Sequence, residues 1–207
     1  YSYYLSEARR QKVSPLEILD QQWFEGSKTA TAVLPHISNT SDVLEIACGI
    51  GRVSRFIAPH CRQLHCADIL DEALAEARLQ LNAFDNISYD KLNGFDLSLY
   101  ESESFDCVYS FTAFFHFDFE LVVSYLAEIK RILKPGGTGI IEFKQWKDGR
   151  DVVQLMEKIE LHGGLRAYHA ELDKWRYVSN EMLAVLCNYY DLKILVPDVT
   201  QFTFRKC

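Results

Sequence analysis

The sequence predicts an α/β protein built on a doubly wound, mostly parallel seven-stranded sheet in which the last strand is antiparallel. Short apolar runs alternate with helical stretches between residues 42 and 143. This order is typical of βαβ units, whose right-handed crossovers place helices on both faces of a parallel sheet. The last two apolar runs, Leu192–Val196 and Gln201–Arg205, are too close for a parallel crossover, so we expect them to pair antiparallel.

The element boundaries follow from the apolar runs and from helix signals. The remaining predicted strands are Val43–Ala47, Gln63–Ala67, Ile87–Tyr89, Phe105–Tyr109 and Thr138–Phe143. The predicted helices begin at Pro15, at Arg52 (to Ala58), at Asp71 (to Leu81), at Glu120 (to Leu133), at Gly149 (to Leu161) and at Ser179 (to Tyr189). Ser14 and Glu17 form a capping box for the first of these helices. Asp71 and Asp118 are expected as caps, and residues 134–137 are expected to end the long helix.

Composition and charge exclude several classes of protein. The 207 residues are 48% hydrophobic and 25% charged, which is ordinary for a folded domain. A net charge of −7 lacks the basic footprint of a nucleic-acid binder. Arg9, Arg10 and Lys12 form either a local basic patch or a solvated helix face. We expect no signal peptide and no membrane span, and hence a cytoplasmic protein.

The six cysteines do not form a metal motif. Cys48, Cys61, Cys66, Cys107, Cys187 and Cys207 contain no CxxC pair, and no cysteine–histidine set has zinc spacing. Cys48 and Cys107 lie in strand-like apolar surroundings. Reduced thiols used as small core residues are therefore the favoured interpretation.

The turn after the first strand has the composition of a cofactor loop. Residues 45–51 combine Glu45 with small residues that let the backbone approach a ligand closely. Asp68 ends the second strand, where a carboxylate can accept hydrogen bonds from a ribose diol. Together they indicate a cofactor that contains a nucleoside. Glu45 would repel a pyrophosphate but would suit an ammonium or sulfonium group.

Five segments in order resemble class I S-adenosylmethionine-dependent methyltransferases. Residues 45–51 are similar to the acidic residue and alternating glycines of the first motif. The later segments are His65–Ile69, Asn93–Leu97, Ser104–Ser110 and Leu133–Gly137. The resemblance covers about residues 40–145. It implies the Rossmann-like methyltransferase fold and S-adenosylmethionine as the cofactor.

The resemblance also implies roles for individual residues. Glu45 and the backbone of Ala47, Cys48, Gly49 and Gly51 would face the methionine part of the cofactor. Asp68 would bind the ribose hydroxyls, with Ile69 against the adenine. The other implied contacts are Asn93 at the adenine amino group, Gly94 and Phe95 beside the adenine, and Ser110 below the methionine. Ala47 replaces a usual glycine, which is tolerated where φ stays negative.

His116 is the candidate general base because it follows the fourth strand, although it could instead brace the next helix or line the substrate site. Other residues that could contact the acceptor are Glu142, Lys144, Trp146, His162, His169 and Trp175. Tyr3, Tyr4, Trp23 and Phe24 belong to a predicted N-terminal lid, although core packing is an equal alternative for Trp23 and Phe24. The sequence does not indicate an oligomeric state.

We divide the chain, as one domain of residues 1–207, into four parts. These are a helical lid (1–40), the cofactor-binding core (41–145), an acceptor-side insertion (146–178) and a C-terminal helix with a strand hairpin (179–207). The favoured function is methyl transfer to an oxygen or nitrogen of a small-molecule acceptor. Two alternatives stay open: a non-catalytic S-adenosylmethionine-binding or partner protein, and an NAD-dependent oxidoreductase.

Overall fold

The computed structural model describes residues 2–22, 25–145, 149–161, 176–197 and 201–207. In these ranges the strands are β1 Asp42–Ile46, β2 Gln63–Asp68, β3 Ile87–Lys91, β4 Phe105–Ser110, β5 Leu133–Ile141, β6 Lys144–Gln145, β7 Tyr177–Val178, β8 Leu192–Val196 and β9 Phe202–Lys206. The helices are α1 Ser2–Gln11, α2 Pro15–Gln22, α3 Gly26–Ala30, α4 Ser54–Ile57, α5 Asp71–Gln80, α6 Phe119–Ile132, α7 Gly149–Leu161 and α8 Asn180–Tyr189.

The main sheet has seven strands in the order β3-β2-β1-β4-β5-β9-β8. β1 pairs in parallel with β2 and β4, which places it at the centre of the sheet. β9 runs antiparallel between β5 and β8. The predicted fold class is therefore confirmed, including the antiparallel last strand. A separate two-stranded parallel ladder joins β6 to β7, which the sequence did not predict.

Side-chain alternation along the strands builds a core on each face of the sheet. In β1, Val43 packs with the residues of α3, α4 and α5. Leu44 and Ile46 point to the opposite face, where α6 and α8 cover them. This period-two alternation is why a sheet sandwiched by helices needs apolar residues at consecutive strand positions. Both cores leave the carboxyl ends of the strands open to a ligand.

Several helix boundaries differ from the prediction. The helix expected over residues 52–58 is shorter, since α4 ends at Ile57 and a 3₁₀ turn containing Pro59 follows. Asp71 is not a cap, because Leu70 precedes the helix and Asp71 lies inside its first turn. Its carboxylate pairs instead with Lys91 at 2.7 Å, and a negative charge in the first turn still stabilises a helix.

The segment over residues 134–137 does not end the long helix. α6 stops at Ile132, and Leu133 already belongs to β5. The register with β4 shifts between Phe105 and Cys107, and Gly136 has a φ of +78°. The glycines therefore form an irregular start to β5. β5 also ends at Ile141, two residues before the predicted end.

Two predicted caps occupy the first position before their helices. Ser14 Oγ accepts the backbone N–H of Leu16, and Glu17 accepts that of Ser14, as a capping box requires. Asp118 precedes α6, but its side chain makes no capping hydrogen bond. It accepts a hydrogen bond from Arg176 Nε at 2.6 Å instead. Of the helices in the described ranges, none has the length and apolar character needed to span a bilayer.

Candidate functional site

The loop after β1 is built from backbone conformations that few residues adopt. Ala47, Gly49 and Gly51 have φ angles of +59°, +57° and +91°. The condition under which an alanine is readily tolerated, a negative φ, is therefore not met at Ala47. A Cβ on Gly51 would lie 2.6 Å from Leu81 Cδ1, so this position needs glycine for space as well as for φ. The loop turns sharply and directs its backbone into the cleft above β1.

Asp68 fixes this loop to the end of β2. Its Oδ2 accepts the N–H of Gly49 at 2.9 Å, and its Oδ1 accepts that of Leu70 at 2.9 Å. Burial raises the pKa of Asp68, and the backbone hydrogen bonds partly offset this effect. A carboxylate has about four acceptor positions, so both oxygens retain capacity for a ribose diol. Asp68 thus lies where the sequence predicted a ribose-binding carboxylate.

A cleft of about 300 Å³ lies above the loop and β4. Five of the predicted site residues line it: Ala47, Cys48, Gly49, Asp68 and His116. Ile50, inside the predicted loop, lines it too, and the lining residues that the sequence reasoning missed are Leu19, Arg52, Thr112, Ala113 and Phe117. Of these, Arg52 and Phe117 directly follow a predicted residue in sequence. Leu19 on α2 had no signal beyond the predicted N-terminal lid.

Glu45 lies beneath the loop and does not line the cleft. Its Oε2 accepts hydrogen bonds from Ser54 Oγ at 2.5 Å and from the Tyr109 hydroxyl at 2.8 Å. Burial raises the pKa of Glu45 to about 7, although these two hydrogen bonds act in the opposite direction. Arg52 contributes a positive charge nearby. The carboxyl group of Glu45 therefore joins β1 to α4 and β4 beneath the cleft.

The predicted adenine contacts lie beyond Asp68 at the edge of the site. Ile69 is 53% exposed and Phe95 is 73% exposed, which is high for apolar side chains. A Cβ on Gly94 would lie 3.6 Å from Ile69 Cγ2, so the two segments adjoin. Asn93 Oδ1 accepts the N–H groups of Phe95 and Asp96. These residues form an exposed apolar surface of the kind that a flat aromatic base covers.

Ser110 is fully buried at the end of β4. Its Oγ donates to the carbonyl oxygen of Ile46 at 2.7 Å, which joins the ends of β1 and β4. The hydroxyl group therefore aligns the two strands that carry the cleft, and Ser110 does not line it.

His116 lies in a 3₁₀ turn, Phe114–His116, and borders the cleft. Arg176 holds this turn from the start of β7. Its backbone N–H donates to the Phe115 carbonyl at 2.7 Å, and its guanidinium donates to the His116 carbonyl at 3.0 Å. The same side chain bonds Asp118. These three contacts thus fix the backbone of the turn that carries His116.

A second cavity of about 200 Å³ adjoins the cleft, and we call it the side cavity. Its lining residues are Lys28, Thr29, Arg52, Phe111, Thr112, Glu142 and Gln201. Arg52 and Thr112 line both spaces, so the side cavity continues the cleft toward the end of β5. Glu142, predicted as an acceptor contact, lies here.

The other predicted residues fall in different places. Lys144 lies over the Phe115 ring, 5.5 Å from its centre. The positions outside the described residues are Trp23, Phe24, Trp146, His162, His169 and Trp175. Tyr3 and Tyr4 belong to α1, of which the structure describes only the backbone at these positions. Within the described ranges, no group of three or more His, Cys, Asp or Glu could hold a metal ion.

Comparison with known proteins agrees with this geometry. Residues 43–137 match the family model described as a methyltransferase domain. No curated protein matches the sequence. The model superimposes on a proposed methyltransferase from Bacillus halodurans with a TM-score of 0.66, at 19% identity over 82% of this chain and 71% of that one.

Two further solved structures carry cofactor information. One is an S-adenosylmethionine-dependent methyltransferase from Methanosarcina mazei, 16% identical over 84% of this chain and 96% of that one, with a TM-score of 0.62. The other is phosphoethanolamine N-methyltransferase 1 from Haemonchus contortus, in complex with phosphoethanolamine and S-adenosylhomocysteine. It is 22% identical over 59% of this chain and 26% of that one, with a TM-score of 0.54.

The glycine loop, the carboxylate at the end of β2 and the strand order form a candidate site for a nucleoside cofactor at the carboxyl edge of the sheet. The match to a methyltransferase domain over residues 43–137 and the shared fold agree with the resemblance to class I S-adenosylmethionine-dependent methyltransferases. These findings support a methyltransferase that uses S-adenosylmethionine as its cofactor, and they favour it over the NAD-dependent oxidoreductase.

Proposed function

We propose that the protein transfers a methyl group to an oxygen or nitrogen atom of a small-molecule acceptor. The observation that carries the proposal is the size of the space beside the cofactor cleft, about 200 Å³. Pockets for drug-sized ligands measure about 300–1,000 Å³, so a space of this size suits a smaller molecule. The neighbour from Haemonchus contortus, bound to phosphoethanolamine, supports an acceptor of this size.

Bound S-adenosylmethionine would supply a methyl group already activated by its sulfonium. The chain has to hold the two reactants in line, which accounts for much of the rate enhancement in such a displacement. We assign the ribose hydroxyls to Asp68 and the methionine part to the backbone of residues 47–51. Burial and the backbone N–H donors of Gly49 and Leu70 fix the Asp68 carboxylate before the cofactor binds.

We assign the adenine to the surface formed by Ile69, Gly94 and Phe95. Ile69 and Phe95 present exposed apolar surface on either side of Gly94. Asn93 uses its carbonyl oxygen within its own loop, so its contribution to adenine binding is to hold that loop. Glu45 and Ser110 act from below the site. The first accepts hydrogen bonds from Ser54 and Tyr109 beneath the loop, and the second joins the ends of β1 and β4.

His116 is proposed as the general base or as a residue that lines the substrate site. It borders the cleft, and its turn is held by Arg176. An imidazole titrates near neutral pH and can take a proton from an acceptor hydroxyl or ammonium group. Its effect on the pH dependence of turnover would separate the two roles.

Residues 1–40 are proposed to form a lid of a single domain that spans residues 1–207. Leu19 of α2 contributes to the cleft wall and packs with Ile50 of the cofactor loop. Asp20 forms an ion pair with Arg55 and accepts the N–H of Gly26 at 2.9 Å. These contacts hold the lid against α4. Residues 146–178 are proposed as the acceptor-side insertion.

We also propose a cytoplasmic location and no nucleic-acid partner. Five of the six cysteines are buried free thiols, which suits a reducing compartment. The net charge of −7 disfavours a polyanionic substrate.

Calorimetry with S-adenosylhomocysteine tests the cofactor site. Asp68→Ala should weaken binding by at least about tenfold, since a charged hydrogen bond contributes about 1.5–3 kcal/mol. Asp71→Ala is the matched control, because Asp71 is exposed and pairs only with Lys91 among the contacts described here. Thermal melting of both variants checks folding. Equal affinities for wild type and Asp68→Ala would contradict the assignment.

A further inference from the structure

We infer that the side cavity is the acceptor pocket and that its acceptor is a small amine carrying a negatively charged group, such as a carboxylate or a phosphate monoester. The inference rests on the proposed function and specifies its substrate class.

The position of the side cavity in the fold supports this inference. Phe111 and Thr112 follow β4, and Glu142 follows β5, so the side cavity lies at the carboxyl edge of the sheet. Ligands of doubly wound sheets bind at this edge. Arg52 and Thr112 also border the cofactor cleft, so the two spaces meet at these residues. An acceptor in the side cavity would therefore adjoin the cofactor without an intervening layer of protein.

The charges of the residues that line the side cavity support an anionic acceptor. Among the described lining residues, Lys28 and Arg52 are cations and Glu142 is the single carboxylate, which favours a ligand with one net negative charge. Arg52 is only 8% exposed, so an anion meets its guanidinium away from bulk water. Lys28 pairs with Glu25 at 3.4 Å, but both side chains are mostly exposed. Such an exposed ion pair is weak and yields readily to an anionic ligand.

Glu142 provides the contact for the amine. Its Oε2 accepts the backbone N–H of Thr112 at 2.7 Å, which fixes the carboxylate. Among the described residues, none donates a hydrogen bond to Oε1. Burial raises the pKa of Glu142, while Lys144 and Arg52 oppose the shift. A half-buried carboxylate with one oxygen unused is suited to accept an N–H of the acceptor.

The reaction balances with groups already named. The lone pair of the neutral amine forms the new N–C bond as the C–S bond breaks, and that electron pair stays on sulfur. The nitrogen then carries one surplus proton, which passes to Glu142 Oε1 and from there to solvent. No oxidant, reductant or further reactant is needed.

The test uses pairs of amines that differ only in the anionic group. Release of S-adenosylhomocysteine is measured with phosphoethanolamine against ethanolamine, and with β-alanine against propylamine. We expect kcat/KM to be at least about tenfold higher for the anionic member of at least one pair. If every anionic amine fails to react and to bind the complex with S-adenosylhomocysteine, the inference is wrong. Preference for the uncharged members overturns it as well.

Variants of residues that line only the side cavity separate it from the cofactor site. Lys28→Gln and Glu142→Gln should each lower kcat/KM for the anionic amine about tenfold and leave the Kd of S-adenosylhomocysteine within about twofold. Glu72→Gln, at an exposed position on α5, is the matched control and should change neither value. If either cavity variant weakens S-adenosylhomocysteine binding tenfold, the cavity holds the methionine end of the cofactor and the inference fails.

The two proposals fail in different ways. A wild-type protein that does not bind S-adenosylhomocysteine would refute the proposed function. A wild-type protein that binds it, yet methylates only acceptors without an anionic group, would refute this inference alone.

Discussion

Replacing Glu45 with glutamine is expected to remove a large pH-dependent loss of stability. Glu45 is buried, and only Ser54 and Tyr109 donate hydrogen bonds to it among the described residues. Both donors use the same oxygen, Oε2, so the side-chain oxygen of glutamine can replace it. The substitution therefore keeps the volume and the acceptor while it removes the ionisable group.

The size and sign of the effect follow from the pKa of Glu45. Burial raises it to about 7 from an ordinary value of 4.5. Between these pH values the folded protein holds a proton that the unfolded chain has released, so stability falls as pH rises. At about 1.4 kcal/mol for each pH unit, the loss reaches about 3 kcal/mol above pH 7. Glutamine has no proton to release in this range. Relative to wild type, the free energy of unfolding of the variant should therefore rise by this amount between low pH and pH above 7.

Urea denaturation of both proteins at pH 5, 6, 7 and 8 measures the difference in their free energies of unfolding. Other carboxyl groups with raised pKa values, such as Asp68 and Glu142, are common to both proteins and largely cancel in the difference. Glu72→Gln, at an exposed position on α5, is the matched control for the loss of a carboxyl group. Parallel stability curves for Glu45→Gln and wild type would refute the reasoning, because Glu45 would then ionise as readily in the fold as in the unfolded chain.

Three further predictions concern the cofactor loop and the candidate base, and Gly136→Ala serves as the control for the first of them. Gly51→Ala should lower the melting temperature and weaken S-adenosylhomocysteine binding at least about tenfold, because its Cβ would meet Leu81 at 2.6 Å. Gly136→Ala, with a φ of +78° but open space, should cost only about 1–2 kcal/mol and leave binding unchanged in calorimetry. Ala47→Gly should stabilise the fold by up to about 1 kcal/mol in urea denaturation, since φ is +59°; destabilisation would contradict it. His116→Ala should abolish the fall of kcat at acidic pH; an unchanged profile would exclude the base.

The sheet was predictable because its signals are local. Apolar runs, turn residues and short connections identify the strands of the main sheet and the antiparallel hairpin. The β6–β7 ladder was not predicted, because each strand has only two residues and its partner lies over thirty positions away in the sequence. Helix ends were less certain, since a cap such as Asp118 can turn to a distant partner like Arg176.

The part of the site that lies directly after the ends of β1 and β2 was predictable from the sequence. Asp68 and the glycine loop lie where expected because strand ends fix them. The positive φ of Ala47 was missed, since composition does not report a backbone angle. The side cavity was also missed as a unit, because α3, the end of β4 and the start of β9 meet only in the folded chain.

The position of β9 has a consequence for how the polypeptide is made. Residues 202–206 follow the other strands of the described residues, yet they lie inside the sheet and bridge β5 to β8. Phe204 packs directly over Gly139, where an added Cβ would lie 2.3 Å from its ring. During synthesis, the edge of β5 that pairs with β9 therefore stays unpaired until Phe204 has left the ribosomal exit tunnel. Nascent chains that stop short of Phe202 should expose that edge and be clients for chaperones or proteases.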